Sequence, residues 1–191
     1  MKNFKLNEKD ILSNQDWTFP TTTYYGPGRL NEIGKFCEEF DIKNPLIVTD
    51  SGSKDLPFIK KLIALLSKNN IKSDLFYNIS PNPRDDEISK GCDQFKNGSH
   101  DSIIAIGGGS AMDGGKSICL TVNSETPLWD FEFEQPVPKI TKENAFPKII
   151  TIPTTAGTGA ETEITAMVTH LEKGMKFCIW HPDVRLSLIH I

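Results

Sequence analysis

Three times in succession, the chain follows a short strand-like run, apolar in "PLIVTD", with a helix-like stretch. The runs are "PLIVTD" (45–50), "KSDLFYNI" (72–79) and "DSIIAIGGG" (101–109). The stretches are "PFIKKLIALLSKNN", "PRDDEISKGCDQFKNG" and "AMDGGKSICLTV". Continuous apolarity in a short run suits a strand buried on both faces, and recurrence at three and four suits a helix. Pro57 fits a first helical turn. The second helix is acidic at its start and ends at Gly98. Strand and helix alternating in units of about thirty residues demand a parallel sheet covered on both sides. Right-handed crossovers place every strand C-terminus on one edge, and ligands of such sheets bind at that edge. The predicted fold class is α/β: a Rossmann-like parallel sheet with helices on both faces, plus a β-hairpin.

The hairpin is read in "TEITAMVTHLEKGMKFCIW", turning at Glu172 to Gly174. Trp17 to Gly26 alternates and is rich in Thr and Tyr, which predicts an opening strand. "GPGRLNEIGKFCEEF" reads as a turn and an amphipathic helix. Asn123 to Lys148 is a long connection, either a flap near the site or a packed irregular loop. Residues 1–16 read as an irregular lead-in and 17–185 as a dinucleotide-binding domain. The tail 186–191, "LSLIHI", reads as a sequencing or cloning scar and is set aside from the fold.

The net charge of −4 comes with no basic block, which argues against a nucleic-acid surface. No run approaches the ~18 apolar residues of a membrane span, and "MKNFKLNEKD" lacks the apolar core of a secretory signal. The four cysteines, Cys37, Cys92, Cys119 and Cys178, form no C-x-x-C pair. They read as reduced, mostly buried thiols of a cytoplasmic protein.

The third strand runs into "GGGSAMDGGK". Gly107, Gly108 and Gly109 remove the Cβ atoms that keep a phosphate from backbone N–H groups. Ser110 opens a helix whose N-terminus attracts anions. A tight turn that merely packs closely explains the same glycines. A Walker A loop does not: Gly115, Lys116 and Ser117 match its end, but Ser110 stands where its first glycine belongs. G-x-G-x-x-G fails at Met112. Asp113 and Lys116 read either as helix-start and solvated charges or as groups orienting the loop. A second small-residue loop, "PTTAGTGAE", follows the next apolar strand. Its Thr154, Thr155 and Thr158 supply hydroxyls, and two such loops on one edge make a cleft for a long polyphosphate ligand. Asp50, ending "LIVTD", either caps the turn "DSG" or accepts a ribose diol and repels a 2′-phosphate.

These motifs resemble the iron-containing (group III) alcohol dehydrogenases. "GGGSAMDGGK" is similar to their G-G-G-S-x-x-D-x-x-K motif and "IPTTAGTGAE" to their P-T-T-x-G-T-G-[SA]-E loop. "YYGPGRLNEIG", "LIVTD" and "NPRDDEI" are similar to further segments of the N-terminal half. The resemblance implies hydride transfer between a primary or secondary alcohol, aldehyde or hydroxy acid and a nicotinamide cofactor. Asp50 points to NAD ahead of NADP, and the resemblance implies a homodimer. By position it puts Asp50 on the adenosine ribose and Gly108, Gly109 and Ser110 at the pyrophosphate, with Asp113 supporting the loop and Gly107 counted among the cofactor-binding residues. Thr154, Thr155 and Thr158 line the nicotinamide end, Lys176 meets cofactor ribose, and Asn82 approaches the adenosine side. It also implies a divalent metal, Fe or Zn, held by an aspartate and three histidines of a following helical domain. His100, His170, His181 and His190 form no ligand pair, so no metal ligand is assigned and this stretch alone is expected to be inactive. The competing reading is a stand-alone, non-catalytic nucleotide-binding module. An uncovered apolar face favours the dehydrogenase half, and a smooth polar one the module.

Overall fold

The computed structural model describes residues 21–184 and 186–189. The lead-in 1–16, the first part of the opening strand at 17–20, and Arg185, His190 and Ile191 lie outside the described residues. In chain order the elements are β1 (Thr22–Tyr24), α1 (Ile33–Glu39), β2 (Pro45–Asp50), α2 (Pro57–Lys68), β3 (Asp74–Ile79) and α3 (Asp85–Asn97). There follow β4 (Ser102–Gly107), α4 (Gly109–Thr121), β5 (Lys148–Pro153), β6 (Thr165–His170), β7 (Met175–Trp180) and β8 (Leu186–Ile189). Short 3-10 turns at Arg29–Glu32 and Leu128–Phe131 precede α1 and follow α4.

Six strands form one parallel sheet in the order β1-β8-β5-β4-β2-β3. Period-two alternation sends neighbouring side chains to opposite faces. Leu46, Val48, Ile103, Ala105 and Ile149 join one core with residues of α3 and α4. Ile47, Ile104, Ile106, Ile150 and Ile152 join the other with residues of α1 and α2. On α2 the buried Ile59, Leu62 and Leu66 recur at three and four, with Pro57 in the first turn. On α3 the Glu87 carboxylate accepts the N–H of Arg84 at 3.1 Å, closing a capping box. Gly98 ends that helix with an ordinary φ of −82°, and Ser99 is the residue in the left-handed region. Gly98 is small because a Cβ there would stand 2.3 Å from the His100 ring.

The antiparallel pair β6–β7 packs beside α4, with Ala166, Val168 and Ile179 in the first core. The connection 123–148 packs through its first part, while most of 133–145 is exposed. Phe131 is buried, and Trp129 stacks on His170 at 4.6 Å.

Leu186–Ile189, set aside from the sequence as a scar, forms a strand between β1 and β5. Leu186 enters one core and Ile189 the other. Spacing the two apolar residues three apart satisfies both faces, so a fold read from 17–185 alone is one strand short.

Among the described residues no helix is long and apolar enough to cross a membrane. All four cysteines are free, Cys37 and Cys119 buried and Cys92 and Cys178 half-buried.

Candidate functional site

From β2 the chain winds outward to β3, then returns to the other side of β2 to make β4 and β5. The strand order therefore reverses between β2 and β4, and a crevice opens outside their carboxyl ends. Asp50 ends β2 and Gly107 ends β4. The Thr49 hydroxyl donates to the Ile106 carbonyl at 2.7 Å and ties the two strands together at that end.

Gly107 has a φ of +145°, and a Cβ there would lie 2.7 Å from the Ala111 Cβ and 3.1 Å from Asp50 Oδ2. Both conformation and space require glycine. Gly108 is extended and precedes α4, and no side chain caps that helix. Ser110 lies in the first turn without a capping role. The leading N–H groups of a helix have no intrahelical partner, so the start of α4 presents donors to the cleft.

The second loop faces the first. Thr154 N–H donates to the Gly107 carbonyl at 2.9 Å. A Cβ on Gly108 would stand 3.3 Å from Thr155 Oγ1, and one on Gly109 would stand 3.5 Å from Thr158 Cγ2. Thr155 and Thr158 are exposed, and Gly157 and Gly159 take positive φ to turn the loop. The cleft thus has a floor of glycine backbone and a wall made by the Thr155 hydroxyl and the Thr158 methyl.

Of its two sequence readings, Asp50 shows the capping one. Its Oδ1 accepts the Gly52 N–H at 3.0 Å and its Oδ2 the Ser53 hydroxyl at 2.7 Å, so it caps the turn. It does so at the lip of the crevice, against Gly107. Asn82 and Lys176 form a separate pair, with the Lys176 ammonium donating to Asn82 Oδ1. They line a groove of about 420 Å³ together with Ser80, Arg84, Thr169 and Gly174.

Lys116 is neither solvated nor a phosphate-binding lysine. It is buried at 1% exposure, and its Nζ donates to the carbonyls of Ala160 (2.9 Å), Glu163 (3.3 Å) and Thr165. Asp113 Oδ1 lies 3.3 Å away. Burial pushes the Asp113 carboxyl up and the Lys116 ammonium down, each opposed by attraction to the other. An ammonium offers three N–H donors, so three carbonyls around Nζ match the charged form. Ser117, the other residue of the failed Walker match, is buried with its hydroxyl donating to the Asp113 carbonyl at 2.6 Å. The signal in the sequence was a single lysine inside a small, apolar helix with an aspartate three residues before it.

Gly114 and Gly115 serve packing rather than binding. A Cβ on Gly115 would lie 2.6 Å from the Ala105 Cβ, and one on Gly114 2.7 Å from Ile79. They let α4 approach β4 closely, and so fix where its N-terminus points.

A model of the family described as iron-containing alcohol dehydrogenase matches residues 20–189. The chain belongs to the iron-containing alcohol dehydrogenase family. It is 32% identical to the choline dehydrogenase of Bacillus subtilis, over 96% of this chain and 46% of that protein. It is 30% identical to the 1,3-propanediol dehydrogenase of Klebsiella pneumoniae, over 86% of this chain and 42% of that one. Among solved structures, a 1,3-propanediol oxidoreductase superposes with a TM-score of 0.81 at 28% identity, covering 92% of this chain and 45% of that chain. The sulfoacetaldehyde reductase of Bifidobacterium kashiwanohense, solved with NAD+, gives 0.80 at 26% identity, over 93% and 46%. The chain spans under half the length of these relatives.

The family uses NAD(H) and a divalent metal. The crevice fits the dinucleotide, since its floor is backbone that a Cβ would fill. The described residues do not fit the metal: no three of His, Cys, Asp or Glu converge among them. His100 bonds the Asn44 carbonyl, His170 stacks on Trp129 and His181 bonds the Pro138 carbonyl. His190 lies outside the described residues.

Proposed function

We propose that the crevice between Asp50, the glycine loop and the threonine loop binds NAD, and that the chain is the cofactor-binding half of a metal-dependent alcohol dehydrogenase. The observation that carries this reading is the start of α4, which no side chain caps and which the threonine loop faces across the crevice. A pyrophosphate there gains N–H donors from Gly109 and Ser110 and the helix dipole. Gly107 and Gly108 clear its path, and Asp113 supports the loop through Lys116. Asp50 takes the adenosine ribose. Thr154, Thr155 and Thr158 orient the nicotinamide end, and Asn82 and Lys176 hold ribose along the neighbouring groove.

The nicotinamide supplies the hydride acceptor or donor for an alcohol, aldehyde or hydroxy acid. This chain's own part is to bind, orient and shield that group. The described residues gather no ligands for a metal, and the isolated chain is expected to show no turnover. Phe133, from the 123–148 connection, is exposed against Trp180 of β7, and Met167 is exposed on β6; apolar side chains left uncovered there support this reading over a self-sufficient binding module.

Titration of the purified chain with NADH, followed by energy transfer from tryptophan to the dihydronicotinamide, tests the proposal. Saturable binding that AMP and pyrophosphate weaken is expected. Absence of saturable binding refutes it.

A further inference from the structure

We propose that Ser53 is a positioning residue for cofactor choice: its hydroxyl presets the Asp50 carboxylate to take the two ribose hydroxyls of NAD(H) and to turn away a 2′-phosphate. The proposal rests on the reading of the crevice as a dinucleotide site.

An ionised carboxylate offers two oxygens and about four lone-pair positions. In this turn the Gly52 N–H takes one position on Oδ1, and the Ser53 hydroxyl takes one on Oδ2 at 2.7 Å. One acceptor position is left on each oxygen. Two adjacent acceptors on one rigid plane suit a vicinal diol, which brings two donors at matching separation. The carboxylate is also in the right place. Oδ2 lies 3.1 Å from the point a Gly107 Cβ would occupy, over the crevice floor where the strand order reverses.

Ser53 is itself braced. Its N–H donates to the Asp50 carbonyl at 3.1 Å, and its carbonyl accepts the Leu56 N–H at 3.0 Å. The hydroxyl that reaches Asp50 therefore comes from a fixed turn. Asp50 is only half-buried, and without this donor the Gly52 N–H alone holds its side chain against rotation about χ1 to another staggered well. The negative carboxylate repels a phosphate dianion placed at the same position. Lys54, the one cation between Ser51 and Leu56, lies over the Tyr77 ring at 4.7 Å, so this turn's positive charge is already engaged by an aromatic face.

The experiment titrates the full chain with NADH and with NADPH, for the wild type, Ser53→Ala, Ser53→Thr, Asp50→Ala and the Asp50→Ala/Ser53→Ala double variant. Ser53→Ala is expected to weaken NADH about 5- to 20-fold, in line with a lost hydrogen bond to a charged group acting indirectly. It should leave NADPH within about twofold, so that the preference between the two narrows. Ser53→Thr keeps the hydroxyl and should restore NADH binding. In the Asp50→Ala background, removing Ser53 should cost nothing further, because the two act as one unit. Equal weakening of both dinucleotides by Ser53→Ala reveals plain damage to the turn and overturns the role. So does unchanged NADH affinity in Ser53→Ala. If the wild type binds neither dinucleotide, the reading of the crevice falls, and the role of Ser53 falls with it.

Discussion

The ammonium of Lys116 donates to the carbonyl of Ala160 at 2.9 Å, across 44 residues of chain. Lys116 sits on the helix whose first turn borders the glycine loop, and Ala160 closes the threonine loop. One buried cation thereby fixes the separation of the two walls of the crevice. Its other acceptors, Glu163 and Thr165, extend the same hold into β6. The lysine of the glycine motif acts on the cofactor site from behind, through the loop opposite.

Lys116→Met should leave three carbonyls and the Asp113 carboxylate without their partner. Removing one member of a buried charged pair costs on the order of 3–5 kcal/mol, and urea unfolding of the chain measures it. Adding Asp113→Asn should recover part of the loss by removing the stranded charge. A loss below ~1 kcal/mol in Lys116→Met would show that the clamp contributes little to stability.

Gly115→Ala should destabilise by about 1–3 kcal/mol, the usual cost of overpacking a filled interior. The new methyl meets the Ala105 Cβ at 2.6 Å, and neither atom belongs to a flexible side chain. Gly174→Asn provides the contrast. That glycine has a φ of +62° in the hairpin turn with nothing near its Cβ position, and asparagine tolerates this conformation well. Thermal midpoints should separate the two variants clearly, and equal midpoints would contradict the packing account.

The alternation of apolar runs and amphipathic stretches made the sheet, its two helical layers and its binding edge legible, because burial on both faces leaves an unbroken signature. The two loops were legible as a facing pair for the same reason: parallel strands share one C-terminal edge. Lys116 was not, since sequence spacing does not reveal that β6 runs close enough to α4 to cover it. Gly107 and Gly115 look alike in the sequence, yet one needs its left-handed backbone and the other only its missing methyl. Leu186–Ile189 is absent from that reading because the tail is set aside as a scar before the strands are counted, although a genuine short strand fits the same residues. Its slot is defined by β1 and β5, which lie far away in the chain.

Stability should fall in alkaline solution through two buried thiols. Burial pushes Cys37 up to about 12 from an ordinary value of 9.0, and Cys119 is also raised by burial. In the unfolded chain both thiols ionise near pH 9, whereas in the folded chain they remain protonated. The stability is therefore complete below pH 9 and is lost as pH rises from there toward the folded values. Each thiol contributes a slope of about −1.4 kcal/mol per pH unit in that window. Urea midpoints at pH 8, 9.5 and 10.5 should decline accordingly, and Cys37→Ser/Cys119→Ser should flatten the decline. A wild-type midpoint that does not move over this range would contradict the prediction.

Gly109→Val separates binding from folding at the glycine loop. Gly107 cannot serve, because any side chain there collides with Ala111 and Asp50 and disturbs the strand end itself. At Gly109 a Cβ meets only the Thr158 methyl, at an ordinary 3.5 Å, and the backbone needs no left-handed angle. The variant should therefore keep its thermal midpoint within a few degrees of the wild type. Its valine side chain would stand in the space between the start of α4 and the threonine loop, where the pyrophosphate is proposed to lie. NADH binding should then drop by at least about 100-fold, as expected when a buried group displaces charge-assisted hydrogen bonds worth roughly 1.5–3 kcal/mol apiece. A variant that folds normally and binds NADH within about twofold of the wild type would remove this loop from the cofactor site and return the glycines to a purely structural role.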